Sequence, residues 1–422
     1  MLGTCANAEC KTRGVRERRR KFWGWGYEGD GLAPAEVEAL ARRLADAFGP
    51  DAVRRHPPPR VEDLVLRPPR IEPPSSLRRV FTNVPHERAA HAYGKSYRDF
   101  VRAFRAEVPN PPDLVALPAA EEDVLAVLAW AGDERVAVVP YGGGSSVVGG
   151  VEPDVGNGYR GAVSLDLRGL DRVLEVDEAS RSALVEAGAL GPRLEAQLEP
   201  HELTLRHYPQ SFEFSSLGGW IATRSAGHYA TLHTHVDDFV QALRIVTPRG
   251  VVETRRLPAS GAGPSPERLF CGSEGTLGVI TRAWMRLQER PRVRASATVA
   301  FDEFAMGAKA ARSVVQSGLH PANCRVLDPL EAFLARSGDG SSALLLLAFE
   351  SPGHDVAPWL AAALDLCREQ GGIVEGTSPG GAVGAAGAWR RAFLRRGRSR
   401  RRRSTTSASS LGRISFTASA FR

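Results

Sequence analysis

The sequence predicts an α+β protein with two ordered units, and three observations carry that prediction. From residue 113 onward, short apolar β-like runs alternate with stretches of helical spacing. One of those runs, residues 136–139, leads into the glycine-rich turn PYGGGSSVVGG at residues 140–150. Beyond Pro291 the alternation repeats on a smaller scale, strand then helix, which suits an antiparallel sheet covered by helices.

Residues 1–21 read as a disordered basic lead, and the FWGWGY run at 22–27 gathers aromatics that call for a packing surface. Helical spacing covers residues 33–48 and stops at Gly49-Pro50. The prolines of residues 56–74 keep that stretch irregular or extended, and Asn110-Pro111-Pro112 marks a boundary. Residues 121–130 carry helical spacing, while 136–139, 162–167, 183–187, 240–246 and 277–287 read as strands. Further on, strands are expected at 295–301, 324–327 and 343–350, with helices at 303–317 and 357–370. The division that follows is a lead (1–21), an N-terminal arm (22–109), a first α+β domain (110–290), a partial second domain (291–394) and an arginine-rich tail (395–422). The tail has neither helical nor strand periodicity. It reads either as a basic disordered tail or as a shifted reading frame in an arginine-rich coding sequence.

Charge is unevenly placed. The formal net charge is +7, yet residues 390–422 hold eleven arginines and no acid, and residues 1–21 add a further +5. That leaves residues 22–389 at −9, so the basic ends say little about the folded body. The run at Arg400–Arg403 has no interleaved aromatics, and no nucleic-acid partner is expected. The five cysteines show no C-x-x-C pair and read as free thiols of a cytoplasmic protein. The longest apolar run, residues 343–349, is far too short to span a bilayer, and no signal peptide is expected.

The glycine turn is the first chemical signal. Glycines leave no Cβ to obstruct an anion, and the bends they permit gather backbone N–H groups into a concavity suited to phosphate. The turn lacks both the G-x-G-x-x-G spacing and the G-K-[ST] ending, so alone it could equally be a plain tight turn. Its company matters more. QSFEFSSLGG follows at residues 210–219, TRSAG at 223–227 and GSEGTLGVIT at 272–281.

In that order and at those separations, the four motifs resemble the FAD-binding domain of the vanillyl-alcohol oxidase and p-cresol methylhydroxylase superfamily, most strongly over residues 113–287. The resemblance implies a two-part α+β FAD-binding domain followed by an incomplete α+β cap, with FAD held non-covalently. It assigns cofactor binding to Pro140, Tyr141, Gly142, Gly143, Gly144, Ser145 and Ser146 at the pyrophosphate turn. Gln210, Ser211, Glu213, Ser215 and Ser216 follow, then Thr223, Arg224, Ser225 and Ala226. The last motif contributes Gly272, Ser273, Glu274, Gly275, Thr276, Leu277 and Gly278. Helix capping is the alternative role for Ser216 and Thr223.

FWGWGY, HAYGKSY at residues 91–97, VTPRG at 246–250 and PANCRVLD at 321–328 are similar to the alkyldihydroxyacetone-phosphate synthase branch and its bacterial FAD-linked oxidase relatives. That branch exchanges an acyl group for a fatty alcohol to make an ether lipid. The resemblance makes Arg325 the catalytic residue on the substrate side, a guanidinium suited to phosphate or carboxylate. The branch's catalytic tyrosine, histidine cluster and second arginine fall beyond the point where this chain becomes RRGRSRRRR and have no counterparts in it. A D-2-hydroxy-acid dehydrogenase is the alternative enzyme, and an inactive flavin-binding remnant the alternative of another class. The expected partner is a small phosphate- or carboxylate-bearing substrate, with peripheral membrane contact and a homodimer left open. No metal is expected at His228, His233, His235, Asp237 and Asp238, a segment between two flavin motifs. His207 is a candidate flavin contact.

Overall fold

In a computed structural model, residues 19–258, 260–335 and 337–379 are described, together with the backbone of Ile414–Phe416. Most of the basic lead, the end of the cap domain and the rest of the arginine-rich tail lie outside the described residues. Ile414–Phe416 pairs antiparallel with Val53–Arg55, a strand that the aperiodic tail sequence did not foretell.

Among the described residues the first domain has two larger sheets on one apolar core, with Leu203–Thr204 and Gln288–Glu289 forming a small two-stranded sheet beside them. In the first sheet, Leu114–Ala116 and Val136–Tyr141 flank Gly161–Asp166 in parallel, and Phe81–Thr82 adds an antiparallel edge. Val136–Tyr141 runs two residues past the expected end, because Pro140 keeps its place in the parallel register opposite Leu165. The second sheet is antiparallel, in the order Gly250–Glu253, Val240–Thr247, Val279–Arg286, Ser182–Glu186, Val173–Asp177. Its strand at 279 starts after Gly278, whose φ of +155° closes the preceding turn.

Helix Glu121–Asp133 bridges the two sheets. Its first residue, Glu121, is buried and accepts from Thr281 Oγ1 at 2.6 Å and from Arg244 Nε at 2.9 Å, both on the second sheet. Burial disfavours the Glu121 carboxylate, but the Arg244 and Thr281 hydrogen bonds outweigh it and hold the pKa below the usual value. The helix outlasts its expected end at 130 and stops where Arg135 turns left-handed.

The N-terminal arm packs as its aromatics imply. Phe22 and Trp23 are buried with Ala89, Ala92 and Tyr93, while Trp25 and Tyr27 lie against Phe214 at 5.9 and 5.8 Å between ring centroids. Helix Pro34–Phe48 begins on a proline at its first position, where no N–H is needed.

The cap is an antiparallel sheet ordered Asn323–Leu327, Ala343–Ser351, Val293–Phe301, Ile373–Pro379, with helices Phe304–Gln316 and Ala357–Glu369 packed on its own core. One buried ion pair fastens it to the first domain. Arg206 Nε donates to Glu350 Oε1 at 2.6 Å, its Nη2 donates to the other carboxylate oxygen, and its guanidinium lies 3.7 Å from the Tyr229 ring centroid. Both side chains are almost fully buried, so removing one partner strands the other's charge. Glu350→Ala should therefore destabilise the protein by about 3–5 kcal/mol. A shift in the urea midpoint of cap unfolding measures it.

Candidate functional site

The parallel strands Val136–Tyr141 and Gly161–Asp166 end side by side, and a cleft of about 360 Å³ opens beyond their carboxyl ends. Such ends are where parallel sheets place ligands, because the chain there turns away and leaves backbone groups unpaired. One wall is the glycine turn, Pro140 to Ser146. Leu167 extends the second strand into the cleft, and the other walls come from Ser211, from the helix Leu217–Thr223 and from Glu274, Gly275 and residues 278–280.

Short backbone contacts bring these separate segments together. Leu217 N donates to Ala189 O at 3.0 Å and Gly218 N to Ala187 O at 2.7 Å, seating the helix on the second sheet. Gly272 N and Glu274 N then donate to Ile221 O and Ala222 O, tying the third wall to the second. The turn itself closes on the helix start. A Cβ at Gly142 would lie 2.1 Å from Ser216 Oγ, and one at Gly143 would lie 1.8 Å from Phe214 O. Gly144, at φ +66°, has the Tyr141 hydroxyl beneath it.

The cleft's chemistry suits a large, partly anionic ligand. Among the described residues, the backbone N–H groups of Gly143, Gly144, Ser145 and Ser146 have no acceptor within the chain. Ser146 Oγ also lacks a partner and is buried. A buried hydroxyl is rarely left so, and a bound phosphate would satisfy it together with the backbone donors. The remaining walls are apolar, with Val147, Val148, Val151, Leu167, Trp220, Val279 and Ile280 offering surface to flat rings. Among the described residues of the lining Glu274 is the only charged side chain, and burial raises its pKa. These residues fit FAD, whose diphosphate needs donors and whose rings need apolar walls.

The sequence-expected residues divide by position. Pro140, Tyr141, Gly142, Gly143, Gly144, Ser145, Ser146, Ser211, Ser216, Thr223, Ser225, Glu274, Gly275 and Gly278 line the cleft. Gln210, Glu213, Ser215, Arg224, Ala226, Gly272, Ser273, Thr276 and Leu277 do not, and several of these brace the walls instead. Ser215 Oγ accepts from Trp220 Nε1 at 2.6 Å, and Arg224 Nη2 donates to Asp237 at 2.8 Å. Ser216 Oγ accepts from Gly219 N at 3.3 Å, and Thr223 Oγ1 donates to Gly219 O at 2.9 Å, so the helix uses both hydroxyls.

His207 is buried outside the cleft and reaches it through Ser225, whose Oγ lies 2.8 Å from His207 Nε2. Burial, then the charges of His235 and His228, pull its pKa down to about 3, so the imidazole is neutral. Asp237 accepts from Arg224 and Arg268, and Asp238 from Arg268. Among the described residues no group of three His, Cys, Asp or Glu is arranged to hold a metal ion. Arg325 lies half-buried on the cap strand Asn323–Leu327, outside the cleft lining, and burial lowers its pKa. That strand meets the first domain where Asn323 Nδ2 donates to His228 O at 2.9 Å. The lining residues missed from sequence were the apolar ones. Leu167 could have been found from the rule for parallel-strand ends, whereas Trp220 and Ile280 carried no signal beyond their hydrophobicity.

Residues 112–255 match the FAD binding domain family, and residues 290–409 match the C-terminal domain of FAD linked oxidases. An alkyldihydroxyacetonephosphate synthase of Dictyostelium discoideum is 40% identical over 248 residues, 59% of this chain and 40% of that protein. The mitochondrial D-lactate dehydrogenase [cytochrome] of Arabidopsis thaliana is 32% identical over 252 residues, 59% of this chain and 42% of that protein. The chain thus spans about two fifths of the length of these curated relatives. A solved alkyldihydroxyacetonephosphate synthase superposes with a TM-score of 0.76 at 28% identity, covering 88% of this chain and 78% of that one. With the glycine turn, its orphaned donors and the apolar walls meeting in one cleft, the cofactor is FAD. The chain thus carries matches to the FAD binding domain and to the C-terminal domain of FAD linked oxidases, and it is similar to the alkyldihydroxyacetonephosphate synthases.

Proposed function

We propose that this chain works as an FAD-dependent alkyldihydroxyacetonephosphate synthase, with a small phosphate-bearing substrate. The observation that carries the reading is the convergence of four separated motifs on one cleft, in a chain similar to such synthases along most of its length. In this reading the turn from Gly142 to Ser146 binds the diphosphate through backbone N–H groups and the Ser146 hydroxyl. Trp220, Val279 and Ile280 shield the rings from water, and His207 orients the Ser225 hydroxyl. Bound FAD supplies a ring that can exchange an electron pair with a substrate carbon. Arg325, on the cap strand facing the first domain, is the group proposed for the substrate's phosphate. No helix among the described residues is long and apolar enough to cross a membrane. The free thiols of Cys271, Cys324 and Cys367 support a cytoplasmic setting.

The test is to incubate the purified yellow protein with an acyl dihydroxyacetone phosphate and a labelled fatty alcohol. Ether product is expected, and Arg325→Ala should cut its formation by about 10²-fold while keeping the flavin absorbance bands. Bleaching of the flavin by D-lactate, without ether formation, would move the assignment to the dehydrogenases. A yellow protein inert to both would make it a flavin-binding remnant.

A further inference from the structure

The cleft wall lacks something that a diphosphate site ordinarily has. Among the described residues none that lines it is a cation, although FAD brings two negative charges to it. The cations lie one layer back. Arg20, on the N-terminal arm, donates from Nη1 to the Gly143 carbonyl at 3.1 Å, on the turn itself. Lys95 packs against the other end of the same turn. Its backbone N–H donates to Ser146 O at 2.7 Å, and the preceding Gly94 comes so close that a Cβ there would lie 2.0 Å from that oxygen.

Neither cation is matched by a carboxylate. Among the described residues no ion pair involves Arg20 or Lys95, and the Lys95 ammonium donates only to the Phe22 carbonyl, at 3.1 Å. Asp99 acts on Lys95 through space, but its carboxylate accepts from Ser96 N and pairs with Arg102. Two unpaired positive charges beside one another are unfavourable unless a negative charge joins them. We propose that Arg20 and Lys95 form a cationic backing to the glycine turn that binds the FAD diphosphate through the loop, one positive charge for each negative one.

The state of Lys95 supports this and supplies a readout. Burial, then the neighbouring Arg20 charge, pull its pKa down to about 8, against a smaller upward effect of Asp99. A bound diphosphate favours the protonated amine. FAD affinity is therefore full below pH 8 and declines above it, by at most tenfold per pH unit, until the pKa of the bound form is passed.

The inference rests on FAD being the cofactor, and the experiment separates the two. The full-length chain, freed of flavin, is titrated with FAD by fluorescence quenching from pH 6.5 to 9.5. Wild-type protein should bind progressively more weakly above pH 8. Lys95→Arg should bind with no such decline, and Lys95→Met should bind about tenfold more weakly at pH 7 with a flat profile. Arg20→Met, at a partly exposed site that folding tolerates, should also weaken binding about tenfold and flatten the salt dependence. A wild-type profile that is flat across pH 8, with Arg20→Met within twofold of wild type, overturns the proposal while leaving FAD in place. Absence of FAD binding by the wild-type chain at every pH overturns the cofactor assignment itself.

Discussion

Gly143→Ala is expected to yield a folded but colourless protein, with FAD affinity lowered by at least 10²-fold. The added Cβ would lie 1.8 Å from Phe214 O and 2.6 Å from the Ser215 Cα, both backbone atoms with no rotamer to change. The turn must then move by more than an ångström, and its N–H groups leave the positions where they can converge on a phosphate. Overpacking of this kind costs about 1–3 kcal/mol in stability, which the large core of the first domain can absorb. Flavin absorbance of the purified protein, followed by titration with added FAD, measures the loss. Gly158→Ala is the matched control, since nothing lies within 4 Å of a Cβ there, and it should keep the colour. If Gly143→Ala purified fully yellow, the turn would not be the pyrophosphate site.

Asp113→Ala is expected to destabilise the protein by about 3–5 kcal/mol. Its carboxylate is fully buried where the arm meets the first sheet. It accepts from Arg67 Nη1 at 2.6 Å, from Arg70 N and Nη2 at 2.9 and 2.8 Å, and from Ala162 N at 2.8 Å. Burial alone would raise its pKa, but the bonds from Arg70, Ala162 and Arg67 overcome that and hold it well below the usual carboxylate range. Truncation would leave two guanidinium groups and two backbone N–H groups without their acceptor.

The sign of the pH dependence follows. A depressed carboxylate stabilises the fold fully above its unfolded value, near pH 4, and that contribution fades as pH falls toward the native value. The gap between wild type and Asp113→Ala in urea midpoint should therefore be largest at neutral pH and shrink in acid. A gap unchanged down to pH 2 would show that lost packing, rather than lost charge pairing, sets the cost.

Both changes act at residues whose importance was legible to different degrees. Gly143 stands in a run of three glycines after a strand, a pattern with a direct physical meaning, and the sequence marked it. Asp113 is one acid after two prolines. Its partners Arg67 and Arg70 sit more than forty residues upstream in a proline-rich stretch with no periodicity at all.

Local patterning placed many of the strands and helices, marked the glycine turn and ordered the four motifs around it, but it gave no sign of the strands Leu114–Ala116 and Val173–Asp177 or of the helix Gly191–Leu198. The legible features depend on backbone geometry and on periods of two or 3.6 residues, which a linear chain displays openly. Tertiary structure alone decided which motif residues face the cleft and which brace it, as with Ser215 and Arg224, whose polar groups turn to Trp220 and Asp237. It also decided that Arg20 and Lys95, far apart in the chain, stand behind the same loop. Charge acts through space over several ångströms, so its effect belongs to the folded arrangement and leaves no spacing in the sequence to read.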